Sequence, residues 1–557
     1  MIFIRFMYTD RQASLPVKVT TWDALGYYMY LPAQFIYHDE TELNWFPKID
    51  STYSVSGGDL YQANRQKNGQ FVFKYLEGVS ILQTPFFLLA HFVAFHSQYP
   101  ADGFSTPYQY AVAWGCLIYC LLAIFLLRKI LLRYYKDGTV AVTILLLLCA
   151  SNFLQYTAIE GGQSHGYIFP LYVFLLYVTV RWHENRKLIW SFLMSLIIGV
   201  AMISRPTEVV MLFIPLLWGV RSKADIIEKI KFLFKQKAHL LLLISGFILG
   251  IAPQLLYWKR VTGSFVYDVG SKWDFLNPHF RVLLGFEKGW FIYTPVTFLF
   301  IAGFFFISQQ EFKRSVITFC LLNIYIIIAW HIWRYGGSYS CRALVQSYPV
   351  FALPLAGLVE TVLQKKWNIL FFMLSAFLIG VNLFQIKQYN QGILHYDEMN
   401  ATYYRAIYLN PHPTPLDMSL LDRADMLRNE QDYRSVSFYK DEQGHIIQQD
   451  LALYEQNIPA PRDVSIHERW IKVNATIKVE QGLWGTYLMA SIKHGGLYKE
   501  AKIRLFNALS KEGKTNQYVF FIQSPDIHNE LAVRICLTGN PSLKGRLEYL
   551  ELTELKK

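Results

Sequence analysis

From residue 107 to residue 386 the chain alternates long apolar runs with short charged joints. Runs at 107–132, 139–158, 165–182, 188–204, 206–220, 238–258, 290–308, 315–333, 344–363 and 367–386 are helix-length. They reach or approach the roughly 20 apolar residues that a helix needs to cross a hydrocarbon core of about 30 Å. An eleventh run, 78–96, follows a polar stretch and contains Pro85, His91 and His96. It either spans or lies along the interface as an amphipathic helix. After residue 466 the period changes. The runs 469–480, 484–493, 500–507, 517–523, 531–537 and 545–553 are strand-length, rich in β-branched and aromatic residues, and separated by Gly and polar turns. At least six short strands predict a sandwich or jelly-roll. Between the two patterns, 387–465 is polar and Tyr-rich, with Pro411, Pro413 and Pro415. It reads as a linker with short helices.

The expected architecture is therefore an α-helical polytopic membrane protein with about 10–11 transmembrane helices and a C-terminal all-β sandwich-like or jelly-roll-like domain. The membrane domain covers 1–386 and includes an outer loop, 9–106, with amphipathic helices. The linker is 387–465 and the β domain 466–557. The N-terminal MIFIRFMYTD is too short to span and reads as the stub of a first helix or as a chain that begins late.

Composition agrees. The chain has 557 residues, 53% hydrophobic and only 17% charged, against about a quarter charged in soluble domains. Mean hydropathy is +0.21 although the last third is polar. The formal net charge is +12, which by itself would allow a nucleic-acid partner. The Lys and Arg residues cluster at the ends of apolar runs, so their role is membrane orientation and no nucleic acid is expected. The joints 128–137, 181–187, 221–237, 309–314 and 364–366 hold 17 Lys and Arg, while 157–165, 204–207, 259–290 and 333–344 hold 8. The first set is predicted cytoplasmic. The loops 9–106, 259–290 and 333–344, and everything after 387, then lie on the outer side, the periplasm of a bacterial inner membrane. The six cysteines supply neither a disulfide framework nor a metal site.

Ionisable residues at membrane depth are expensive and mark candidate sites. Asp23 precedes an aromatic amphipathic segment, 24–38, and Asp39 and Glu40 follow it. The plain role of Asp23 is a helix N-cap; the chemical one is a general base at the membrane surface. Lys74, in FKYLEGVSILQTPFF, is either a snorkelling cation or a phosphate contact, and Tyr75 stands beside it. Glu160 and His165 flank Gly161-Gly162, and two such side chains fall short of the three or four that a metal site normally needs. Arg205, in SRPTE, calls for a partner, either Glu208 or a lipid phosphate. Lys288 sits at the entrance LLGFEKGWFIYTP. The loop AWHIWRYGGSYSCRALVQSYP carries Arg334, Tyr339 and Arg342 beside a Gly-Gly turn. Its aromatic faces suit sugar rings and its guanidinium groups suit phosphate. No G-x-x-x-x-G-K-[ST] or H-E-x-x-H motif occurs, so ATP-driven and zinc-peptidase mechanisms lose support.

In this order, the loop-one acid Asp23, FKYLEGVSILQTPFF, LLGFEKGWFIYTP and WRYGGSYSCRAL resemble the GT-C glycosyltransferase superfamily. These multi-pass enzymes include protein O-mannosyltransferases and the aminoarabinose transferase of lipid A. The resemblance covers roughly 15–390. It implies a sugar donor on a polyprenyl phosphate, transfer that usually inverts the anomeric centre, and no nucleotide-sugar site. Asp23 matches the family's acceptor base, with Asp39 or Glu40 open as a second acid. Lys74 and Arg342 match basic positions near the donor phosphate. The family normally places a span before the loop-one acid, where this sequence has only a stub.

The expected function is transfer of a hexose or pentose from a lipid-phosphate donor to a hydroxyl of a lipid, glycan or protein acceptor. The expected catalytic residues are Asp23 and Asp39. The expected substrate contacts are Lys74, Tyr75, Glu160, His165, Arg205, Lys288, Arg334, Tyr339 and Arg342. No cofactor is implied, with a divalent metal left open. The rival is a transporter or flippase of a lipid-linked glycan, which would use the same basic, aromatic groove but need no base.

Overall fold

The structure, a computed structural model, describes residues 1–10, 18–365, 368–423, 425–427, 429–463 and 465–557. Part of the 9–106 loop (11–17) and the joint residues Lys366 and Trp367 lie outside the described residues. The chain divides into two compact units, Met1–Ile386 and Lys387–Lys557.

The first unit is helical. Among the described residues, five helices are long and apolar enough to cross a membrane: Gly78–Phe95, Thr106–Leu131, Lys237–Thr262, Arg342–Leu363 and Asn368–Asn390, the last running on past the unit boundary. The run 78–96, ambiguous in sequence, is thus one of the full-length helices. Ser164–Asn185 adds a 22-residue helix. Shorter apolar helices are Asp137–Cys149, Leu188–Met202, Pro206–Leu217 and Thr297–Phe306. Phe125 (72% exposed), Leu241 (65%) and Ile369 (72%) face outward on the long helices, as lipid-facing residues do. The protein is a multi-pass membrane protein.

Several apolar runs are broken helices, and the breaks have local causes. The run 139–158 stops at Cys149, where the Asn382 amide donates to the freed carbonyls of Cys149 and Ser151, both at 2.8 Å. A backbone carbonyl without a partner is costly in hydrocarbon, so such a break needs a donor like Asn382. The run 290–308 breaks between Tyr293 and Thr297, where Pro295 has no N–H to continue the helix.

Ahead of the first full-length helix, the chain builds the site's floor. Helix α1 (Asp23–Tyr28) opens the amphipathic segment, which stays helical to Tyr37 and ends at His38 in the left-handed region. Strands β1 (Ala63–Arg65) and β2 (Phe71–Phe73) form an antiparallel hairpin in the register Ala63↔Phe73. This hairpin holds Tyr61 and Lys74 near each other, with the Lys74 N–H bonded to the Gln62 carbonyl at 2.9 Å.

Among its described residues the second unit carries nine strands: β3 (Arg434–Asp441), β4 (His445–Ile447), β5 (Ala452–Ile458), β6 (Arg469–Gln481), β7 (Tyr487–His494), β8 (Leu497–Arg504), β9 (Thr515–Gln523), β10 (Leu531–Thr538) and β11 (Lys544–Lys556). One sheet runs β5-β10-β7-β8; the other runs β3-β11-β6-β9, with β4 also on β11, all antiparallel. Their apolar faces share one core, including Val473, Ile477, Phe520, Leu488, Ile535 and Leu550. This is the sandwich the alternation predicted. The reading of 387–465 as a linker with short helices is corrected in part. Its first half has short helices, Ala401–Ile407 and Pro415–Ser419, but its second half supplies β3, β4 and β5. These strands escape a pattern search because they bury few side chains. Arg434 to Ser437 are all exposed, so no apolar alternation marks them.

Candidate active site

The site grows from Asp23. An N-cap role is excluded by position: the cap of α1 is Trp22, in the left-handed region at φ 54°, and Asp23 is already the first helical residue. Its carboxylate is therefore free to turn away from the helix. Tyr75 donates to Asp23 Oδ1 at 2.6 Å and Tyr61 donates to the same oxygen at 3.0 Å. The other oxygen pairs with the Arg342 guanidinium. Tyr75 reaches this position because residue 26 is glycine; a Cβ there would overlap the Tyr75 ring. Burial pushes the Asp23 carboxyl up, but Arg342 and the two phenols outweigh it and hold the group below the usual carboxylate range.

Arg342 is aimed by a pinned loop. Tyr335, Gly336 and Ser340 all take positive φ, a costly conformation for the two non-glycine residues that persists only where the surroundings enforce it. Lys288, 1% exposed, donates to the carbonyls of Gly336 (2.8 Å) and Ser338 (3.2 Å). Tyr156 donates to the Tyr339 carbonyl at 2.8 Å, and Tyr335 to the Ile327 carbonyl at 2.7 Å. Tyr339 itself is buried, its hydroxyl donating to the Tyr293 carbonyl at 2.9 Å.

Asp23, Tyr61, Lys74, Tyr75, Arg205 and Arg342 line one cavity of about 330 Å³. His165, Ser164, Trp273 and Trp330 complete much of its wall. Among the described residues Asp23 is its only acidic lining residue. Among the described residues Lys74 and Arg205 have no carboxylate partner within ion-pair distance. Arg205 does not take Glu208. That carboxylate accepts from Tyr172 and from Gln346 (3.1 Å), while an Arg205 guanidinium nitrogen lies 3.2 Å from His165 Nδ1. The indole N–H groups of Trp273 and Trp330 are buried and unpartnered. A cavity with three cations, one acid and two idle indole donors suits an anionic, hydroxyl-rich ligand.

Of the sequence candidates, Asp23, Lys74, Tyr75, His165, Arg205 and Arg342 meet at this cavity. Lys288 and Tyr339 instead hold the Arg342 loop from behind. Arg334 is exposed, its guanidinium 5.4 Å from the Trp333 ring centroid. Glu160 accepts from Gln155 at 2.9 Å, and burial raises its carboxyl above the usual range. Asp39 is corrected to a loop-holding role. Its carboxylate accepts from the backbone N–H groups of Thr41 (3.3 Å), Glu42 (2.8 Å) and Asn44 (2.9 Å), and it is absent from the cavity wall. No group of three or more His, Cys, Asp or Glu side chains among the described residues is placed to hold a metal. Tyr61 and Trp273 were not foreseen; each lies in a polar loop where nothing but its aromatic type sets it apart. Residues 162–166 also read G-x-S-x-G. A nucleophile elbow needs a strand–turn–helix setting, and here a turn with no preceding strand leads to Ser164 at the start of a helix.

The fold is that of a multi-pass membrane protein. Residues 105–257 match the family model of dolichyl-phosphate-mannose-protein mannosyltransferases, inside the stretch that carries the sequence resemblance, which is thereby borne out. Among solved structures, the apo oligosaccharyltransferase of Archaeoglobus fulgidus is similar at 11% identity, covering 74% of this chain and 57% of that one, with a TM-score of 0.39. ArnT from Cupriavidus metallidurans is similar in its apo state (12% identity, 59% and 55% covered, TM-score 0.35). It is also similar when bound to undecaprenyl phosphate (13% identity, 73% and 66% covered, TM-score 0.40). The chain thus spans between 55% and 66% of the length of these structures. No curated protein matches.

Proposed function

We propose that the protein transfers a sugar from a polyprenyl-phosphate donor to an acceptor hydroxyl on the outer face of the bacterial inner membrane, with inversion. The observation that carries this reading is the Asp23–Arg342 pair, set in a cavity that also holds the uncommitted cations Lys74 and Arg205. The family match over 105–257 supports a glycosyltransferase, and the distribution of Lys and Arg over the joints supports the outer face.

The chemistry follows from charge. Paired with Arg342, Asp23 is a weak base. A donor phosphate entering beside Lys74 and Arg205 competes for Arg342 and releases the Asp23 carboxylate, whose basicity then rises. The freed carboxylate takes the proton of the acceptor hydroxyl. The acceptor oxygen bonds to the anomeric carbon as the carbon–oxygen bond to phosphate breaks, and the polyprenyl phosphate leaves with the electron pair. The three cations stabilise the charge that develops on it. Tyr75 and Tyr61 orient the carboxylate, and the tryptophans give the sugar a face to stack on. Only one carboxylate lines the cavity, so a single displacement, with inversion, is favoured over a glycosyl-enzyme route.

The test is mass spectrometry of surface glycolipids and glycoproteins from strains lacking the protein, complemented with it, or complemented with Asp23→Asn at matched membrane levels. One sugar mass is expected to vanish in the null strain and to fall by roughly 10²–10⁴-fold with Asp23→Asn. A wild-type profile with Asp23→Asn would remove Asp23 as base and advance the transport reading.

A further inference from the structure

The segment 74–77 has two faces. Lys74 and Tyr75 line the reaction cavity, while Glu77 lines a second, more open cavity of about 560 Å³ with Gln34, Phe35, Glu40, Leu256 and Arg260. Glu77 is only 7% exposed, and its Oε1 accepts from Gln34 Nε2 at 3.0 Å. Its Oε2 is buried without a partner. The same Gln34 amide donates to Glu40 Oε1 at 2.8 Å, and Glu40 Oε2 takes Arg260 at 2.5 Å. Glu40 is therefore neutralised and Glu77 is not. The pocket is one positive charge short, which for a buried carboxylate is a real cost. Burial raises the Glu77 carboxyl above its usual range, the Gln34 bond pulling the other way.

The pocket's rim shows what kind of cation fits. Phe35 (44% exposed) and Leu256 (59% exposed) present bare apolar surface, and Leu256 belongs to the full-length helix Lys237–Thr262. A ligand with a compact cation and an apolar tail satisfies both walls. We propose that this second cavity binds a primary ammonium group presented on the headgroup of a bilayer lipid, with Glu77 Oε2 as its acceptor. This site is separate from the proposed transfer chemistry and does not depend on it. Its occupant would sit one residue from the Tyr75–Leu76 step that bounds the reaction cavity.

The experiment uses the full chain carrying Asp23→Asn, in phosphatidylcholine nanodiscs, so that turnover cannot alter the lipids. Native mass spectrometry reads retention of dioleoyl-phosphatidylethanolamine against dioleoyl-phosphatidylglycerol, with free ethanolamine as competitor. The ethanolamine lipid is expected to be retained about tenfold over the glycerol lipid, a preference that Glu77→Gln abolishes. Gln accepts the Gln34 bond and keeps the shape. As a second arm, Arg260→Gln leaves the pocket more negative and should strengthen the preference. Equal retention of both lipids, or an unchanged preference in Glu77→Gln, overturns the proposal. Displacement by free ethanolamine at the lipid's own concentration overturns the lipid assignment. None of these outcomes bears on Asp23 as a base, which the glycan profiles test alone.

Discussion

Each unit of this protein contains an arginine–carboxylate pair out of bulk water, and the two are built differently. In the sandwich, Arg469 is closed on every side: Nε bonds Glu554 at 2.6 Å, and the terminal nitrogens bond the carbonyls of Asn529 (2.6 Å) and Pro459 (3.0 Å). Both side chains are sealed, 0% and 7% exposed. In the membrane unit, Asp23 is the one hydrogen-bond partner of the Arg342 side chain among the described residues. The pair stands in a cavity wall, with side chains 10% and 25% exposed. A sealed, fully bonded pair can only hold structure together. An open pair flanked by spare cations can exchange partners. The same two functional groups thus form a clamp in one unit and, in the proposed reaction, a switchable base in the other.

The comparison breaks most visibly at its sealed end. Glu554→Ala leaves the Arg469 charge buried and unpaired, a loss of about 3–5 kcal/mol. Hydrogen exchange on the full chain should show β6, β9 and β11 losing protection while 106–131 and 237–262 keep theirs. Replacing the pair by Arg469→Met with Glu554→Leu should recover much of the loss, since well-packed apolar groups often match a buried ion pair. Unchanged protection in Glu554→Ala would mean that the pair is not a clamp.

At the open end the expected effect is smaller and of another kind. Arg342→Ala should leave the unit folded but weaken binding of a polyprenyl phosphate by about ten- to a hundredfold, the worth of a charge-assisted hydrogen bond. Arg342→Lys should fall between, keeping the charge and losing the fork. In Arg342→Ala, Asp23 loses the cation that depresses its carboxyl, so the acid limb of the pH–rate profile should move upward, and less so in Arg342→Lys. Unaltered phosphate affinity together with an unmoved limb would reduce Arg342 to a structural part.

The contrast between the two pairs was only partly legible in the sequence. Asp23, Lys74, Arg205 and Arg342 stand out because a charge beside an apolar run is conspicuous. The same signal picked Lys288 and Asp39, which hold loops, because it reports where a charge is and not where it points. Tyr61 lies 38 residues from Asp23 and reaches it only through the β1–β2 hairpin, which has no apolar alternation long enough to read. In the sandwich, β6 to β11 were visible in the pattern, while β3, β4 and β5, which bury few side chains, were not. Arg469 and Glu554 were not singled out, because within a strand rich in charged residues nothing marks the two that turn inward.

The finest test of the comparison sets Asp23 against its neighbour Glu160, whose carboxyl is displaced the other way. Burial dominates at Glu160, and the hydrogen bond from Gln155 and the fields of Arg342 and Lys288 only partly offset it. Its folded-state pKa lies above the unfolded value of about 4.3, so its contribution to stability is present below that value and is lost as pH rises through the folded one. Asp23 has the opposite sign: its contribution is present above the unfolded value and is lost as pH falls through a folded value that lies lower still. Thermal midpoints of the full chain in detergent, measured from about pH 2 to about pH 8, should decline through the Glu160 window as pH rises in the wild type and decline less in Glu160→Gln. Asp23→Asn should leave that decline intact and remove part of the loss seen on further acidification. The change is one of slope rather than of fold, the smallest effect expected here. Parallel curves for wild type and Glu160→Gln would show that Glu160 is solvated rather than buried.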